Sequence, residues 1–193
     1  IKYGKNNIKG KSIAITSSFS GEGSTIVAIN LAIALSNSNK TLLIDTNYNN
    51  NKTSEIFGIN SNIGLKEVIF DHDKLEDVIV KKNDNLHIIS TGDVNVNTMS
   101  LLDSKVFDEL LKELNKDYDY IIVDTPAVQA SADTKLLLRK VDGSILVVKA
   151  ESTKKDIIKS TINDINNLSS NLMGIAFNFG DRFRNKYYTY KIK

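Results

Sequence analysis

Short apolar runs recur along the chain, and most of them stop at a polar residue. They cover residues 12–16, 41–44, 86–89, 120–123, 144–148 and 172–177, the last ending at Asn178. Several are apolar at successive positions, as in Leu42-Leu43-Ile44 and Ile121-Ile122-Val123, which marks strands buried on both faces of a parallel sheet. Segments of helical period lie between them. Ser24–Ser36 carries apolar residues at Ile26, Ile29, Leu31 and Leu35, and residues 101–114 are amphipathic. Residues 131–139 form a helix with Ser131 as its N-cap, and residues 152–168 form another. Residues 63–70 and 74–80 read as short helical pieces with a strand-like end. Residues 47–51 and 94–98 read as loops, and residues 1–11 as a basic lead-in. Strands alternating with helices predict a mostly parallel sheet covered on both faces, without repeats or a second domain.

Bulk properties narrow this only slightly. The 193 residues suit one domain with a sizeable core. A net charge of +2 gives no argument for general nucleic-acid binding. Cysteine is absent, as fits a reducing compartment. No apolar run approaches the roughly 18–20 residues that span a bilayer, and no signal peptide is visible. The chain begins at Ile1 and reads as a fragment of a longer protein.

The candidate chemistry lies at strand ends. After the first run comes Ser17-Ser18-Phe19-Ser20-Gly21-Glu22-Gly23-Ser24-Thr25, which opens a helix. Strand, Gly-rich turn and helix are the context of a phosphate-binding loop. Glycines let the backbone approach an anion, and the helix N-terminus favours negative charge. Against the pattern G-x-x-x-x-G-K-[ST], the window keeps Gly23 and Thr25 but has Ser18 in the first position and Ser24 in place of lysine. Gly10-Lys11-Ser12 holds the missing letters, but it precedes a strand and has Lys5, not glycine, five residues earlier. Asp45 and Asp124 each follow an apolar strand. Either alone could cap a turn, but in a parallel sheet both converge with the loop on the ligand-binding edge. Thr25, Asp45 and Asp124 are then the candidate Mg²⁺ and catalytic set. Ser20, Gly21, Glu22, Gly23, Ser24, Thr25, Ile26 and Asn178 are the candidate nucleotide contacts. His72 and His87 read as exposed or lightly packed, and Lys81-Lys82 as a solvated face.

These residues resemble a family, the cytoplasmic domains of bacterial tyrosine kinases that control capsule and exopolysaccharide synthesis. The likeness covers nearly the whole chain. Ile15-Thr16-Ser17, Gly21-Glu22-Gly23 and Asn30-Leu31-Ala32 match the family's loop and helix, and Leu42-Leu43-Ile44-Asp45 its A′ motif. Residues 118–126 resemble its Walker B stretch, with Asp133 downstream, and Asp142-Gly143 with Val147-Val148 also fits. The resemblance implies a P-loop NTPase-like three-layer α/β/α fold over residues 1–181, with ATP and Mg²⁺ as cofactors. It implies a tail, residues 182–193, whose Tyr187, Tyr188 and Tyr190 accept phosphate from a neighbouring subunit. It further implies a cytoplasmic location, membrane association through a polysaccharide co-polymerase partner or a fused segment, no nucleic acid, and a homo-oligomer. Ring assembly would use a helix lying before Ile1.

The departures bear on activity. Ser24 replaces the lysine. In the A′ motif, Asp-x-Asp-x-Arg, the second Asp is Asn47 and the Arg is Asn49. The proline-rich loop near Gly92 has no proline, and Ala127 stands where a second proline is usual. The expectation is a kinase-like domain with weakened nucleotide binding and reduced transfer, acting as an impaired enzyme or a pseudokinase module. A partitioning-type ATPase is the alternative, but those carry an early lysine where Ser18 stands.

Overall fold

The computed structural model describes residues 12–48, 52–59, 63–71, 75–92, 105–168 and 170–180. Residues 1–11, the A′ position Asn49, His72, residues 93–104 and the tail tyrosines lie outside them.

A seven-stranded sheet forms the middle layer. In chain order its strands are β1 (Ser12–Ser17), β2 (Thr41–Asp45), β3 (Val80–Lys81), β4 (Leu86–Ile89), β5 (Tyr120–Asp124), β6 (Gly143–Lys149) and β7 (Leu172–Asn178). Their spatial order is β3-β4-β2-β5-β1-β6-β7. Every pairing is parallel except β3 with β4. The helices are α1 (Ser24–Ser36), α2 (Lys52–Phe57), α3 (Leu75–Val78), α4 (Lys105–Asp117), α5 (Ala132–Leu138) and α6 (Lys155–Asn167). A π-helical turn, Glu67–Asp71, precedes α3.

Uninterrupted apolar strands serve two cores because successive side chains point to opposite faces. Ile13, Ile15, Leu43, Ile88, Ile122 and Val147 pack with Ala28, Ile29 and Ala32 of α1. Ala14, Leu42, Ile44, Ile121, Val123 and Leu146 pack with Phe107, Leu114, Leu137 and Ile165 of α4, α5 and α6.

Two readings of side chains are corrected. The inward stripe of α1 is Ala28, Ile29 and Ala32, with Leu31 and Leu35 partly buried, whereas Ile26 is 38% exposed. Small residues let the helix sit close to the sheet, so the largest side chains do not mark its buried face. His87 is not exposed but 5% accessible, and its Nδ1 lies 2.7 Å from the Tyr118 hydroxyl. Burial, then Lys40, holds its imidazole below the usual range. Ser131 caps α5 as expected, accepting from the Asp133 N–H, and Lys81 and Lys82 are exposed.

At the N-terminal edge of the sheet, aspartates tie strand starts together. Asp142 accepts from the Ser12 N–H at 2.9 Å and the Ser12 hydroxyl at 2.6 Å. Asp119 accepts from the Lys40 N–H at 2.8 Å.

Truncation of Ile122, fully buried in β5, to alanine is expected to lower the unfolding free energy by roughly 2–5 kcal/mol. Ile26→Ala should change it by under about 0.5 kcal/mol. Urea denaturation of both variants checks this, and equal losses would mean that the outer face of α1 is packed.

Candidate nucleotide site

The loop between β1 and α1 is shaped by its own residues. Gly21 and Gly23 have φ of 87° and 88°. A Cβ at Gly23 would collide with the Asn178 amide and lie 3.2 Å from the Phe179 ring, so only glycine fits there. The buried Glu22 folds its carboxylate back under the loop. Oε2 accepts from the Ser18 N–H at 2.7 Å and the Phe19 N–H at 3.1 Å, while Oε1 accepts from the Thr153 hydroxyl. From the far end of the chain, the Asn178 side-chain amide donates to the Glu22 carbonyl at 3.1 Å. The first turn of α1 has neither a side-chain cap nor an acidic residue, which leaves its N–H groups directed at whatever binds beyond them.

A cavity of about 300 Å³ opens over this turn. Ser20, Gly21, Gly23, Ser24, Thr25 and Ile26 all line it, which brings together six of the eight predicted nucleotide contacts. The other two, Glu22 and Asn178, stand behind the loop as its braces. A larger depression of about 600 Å³, bordered by Ser12 and Asp142, faces the strand starts, the edge opposite to that used for ligands in such sheets.

Asp45 and Asp124 are paired residues on neighbouring strands β2 and β5. Their exposures are 1% and 0%. Neither lines the cavity, but each lies against a residue of its wall. Asn47, in its wall, donates its N–H to Asp45 Oδ1 at 2.8 Å, and Thr25 stands beside Asp124. Burial pushes Asp45 up to about 6 against the opposing Asn47 and Thr53 hydrogen bonds. Asp124 is raised well above the carboxylate range by burial first and by the charge on Asp45 second. Neither oxygen of Asp124 makes a hydrogen bond of full geometry. A buried carboxylate with only the Thr25 hydroxyl as a nearby donor, beside a second carboxylate, has the chemistry that suits a hard divalent cation. Among the described residues no group of three or more His, Cys, Asp or Glu could hold a metal ion.

Sequence reasoning missed Lys52 and Phe179, which also line the cavity. It also missed Thr153 and Thr161, which hold Glu22 and Ser18. None carries a motif; each arrives from an element distant in sequence.

A glycine loop opening a helix, beside paired strand-end carboxylates on a parallel sheet, defines a P-loop nucleoside-triphosphate-binding fold. The family described as AAA domain matches residues 10–177. The tyrosine-protein kinase CpsD of Streptococcus pneumoniae serotype 4 is 34% identical over 181 residues, 92% of this chain and 79% of that protein. The crystal structure of the VpsO kinase domain superposes with a TM-score of 0.86 at 31% identity, covering 92% of this chain and 88% of that one. A plasmid partition protein from Borrelia burgdorferi gives 0.70 at 25% identity, covering 87% and 78%. The chain belongs to the bacterial tyrosine kinases of the P-loop type.

The carboxylate pair makes a prediction about stability. Between about pH 4 and 6 the folded protein keeps a proton on the pair that the unfolded chain has released. Its contribution to stability is therefore present at low pH and lost as pH rises through that window. Asp124→Asn is expected to flatten the slope and, at neutral pH without ligand, to raise the unfolding free energy by roughly 1–3 kcal/mol. Denaturation of both proteins across this pH range checks it, and an unchanged slope would sink the reading.

Proposed function

We propose that this chain is the MgATP-binding domain of a tyrosine-kinase-like regulator of capsule or exopolysaccharide synthesis, with phosphoryl transfer impaired at Ser24. The observation that carries the impairment is Ser24 itself, buried in the cavity wall at the position of the loop lysine. A hydroxyl there offers a hydrogen bond but no charge to the β- and γ-phosphates. Backbone N–H groups of the loop and of the first turn of α1 would still cradle them. Thr25, Asp124 and Asp45 would hold Mg²⁺, which when bound supplies charge neutralisation to the phosphates. Asp45, next to Asp124 across the β2–β5 register, is placed either to complete that Mg²⁺ site or to orient an attacking tyrosine hydroxyl. Tyr187, Tyr188 and Tyr190 are the proposed acceptors, reached in trans within a homo-oligomer, and a membrane polysaccharide co-polymerase is the proposed partner. The pseudokinase module is the limiting case in which transfer is lost and binding kept.

Ser18 favours this over a partitioning ATPase. It is fully buried, and its hydroxyl accepts from Thr161 at 3.0 Å, where a partitioning loop would need room for a lysine.

Phosphotyrosine mapping after incubation with MgATP tests the proposal. Ser24→Lys is expected to raise the transfer rate by about 10²–10³. Transfer by the unaltered chain at the rate of that variant would overturn the impairment.

A further inference from the structure

With Ser24 in the loop, the cavity wall has no cation from the residues that bind phosphate in such folds. It has one from elsewhere. Lys52, the first residue of α2, lines the cavity together with Gly21, Gly23 and Ser24, and among the described residues it is the only charged one that does so. Its side chain is exposed and makes no ion pair among the described residues.

The backbone that carries Lys52 is held in place. The next residue, Thr53, is fully buried and lies beside Asp45, which places the start of α2 against the carboxylate pair. At the other end, the Lys82 ammonium donates to the Phe57 carbonyl, and Phe57 packs on the α1-side core. The ammonium at residue 52 is thus presented to the cavity by a helix anchored at both ends. Lys149, on β6, sits 5.2 Å over the Phe179 ring and does not line the cavity.

We infer that Lys52 supplies to bound nucleotide phosphates the positive charge that Ser24 does not. This rests on the nucleotide-binding reading above and adds to it a residue and a direction of approach. The charge comes from the segment after β2 and not from the helix that begins at Ser24. An ammonium on a flexible stem acts as a point charge and needs no fixed fork geometry to engage phosphate. Lys52 is therefore a binding residue, and the loss on its removal should grow with the number of phosphates.

The test is calorimetric titration of MgADP and MgATP into the unaltered chain, Lys52→Met, Lys52→Arg, Ser24→Lys and the double variant Ser24→Lys with Lys52→Met. Lys159→Met, an exposed charge on α6, controls for net charge, and thermal melts confirm that each protein is folded. Lys52→Met is expected to weaken MgATP binding by roughly 10- to 100-fold, and MgADP by less. Lys52→Arg should retain most of the affinity. In the Ser24→Lys background the same methionine should have a much smaller effect. Equal affinity for the unaltered chain and Lys52→Met, or equal losses with Lys159→Met, would overturn the role of Lys52 while leaving the nucleotide site standing. Binding by Ser24→Lys but not by the unaltered chain would also overturn it, since Lys52 would then fail to compensate. No binding by any variant would overturn both this inference and the nucleotide-binding reading.

Discussion

Two carboxylates buried side by side, Asp45 on β2 and Asp124 on β5, are the constraint around which this molecule is arranged. Parallel register puts them next to each other, and neither can turn to water. Burial disfavours both charges, and each charge disfavours the other. The apolar layers above and below the sheet must offset that penalty for the fold to persist. The opposite edge shows what the same residue type does when it serves structure alone. Asp119 and Asp142 are met by backbone N–H groups and tie strand starts together. Asp124 is given no such donor. At one edge of the sheet the aspartates are met by backbone donors, and at the other two carboxylates lie buried together with few.

The sheet was legible in the sequence because its strands are covered on both sides, so apolarity runs on without the alternation that a half-exposed strand would show. Leu42-Leu43-Ile44 and Ile121-Ile122-Val123 could hardly be anything else at that length. The loop and the two aspartates were legible because strand ends in a parallel sheet share one edge. What stayed hidden depends on contacts between distant residues. The buried side of α1 rests on alanines, which carry little signal, so the larger Ile26 was wrongly assigned inward. The environment of His87 is made by Tyr118, 31 residues further along. The place of Lys52 follows from the contact of Thr53 with Asp45, which no spacing rule anticipates.

Ser24 shows that a loop's shape and its charge are separable. The turn is set by the left-handed glycines 21 and 23 and by Glu22 holding the Ser18 and Phe19 N–H groups. None of these contacts involves the side chain at 24. A substitution there leaves the backbone cradle intact, so the charge presented by the loop and the stability of the fold can change independently.

The hydrogen bond from Asn178 to Glu22 joins residues 156 positions apart. During synthesis the glycine loop leaves the ribosome early, but the strand that braces it follows the other six described strands. Until β7 docks beside β6, the loop lacks one of its supports, and Gly23 has no Asn178 to pack against. The bracing of the loop therefore forms only once β7 pairs with β6, a long-range closure of the kind that comes late in folding.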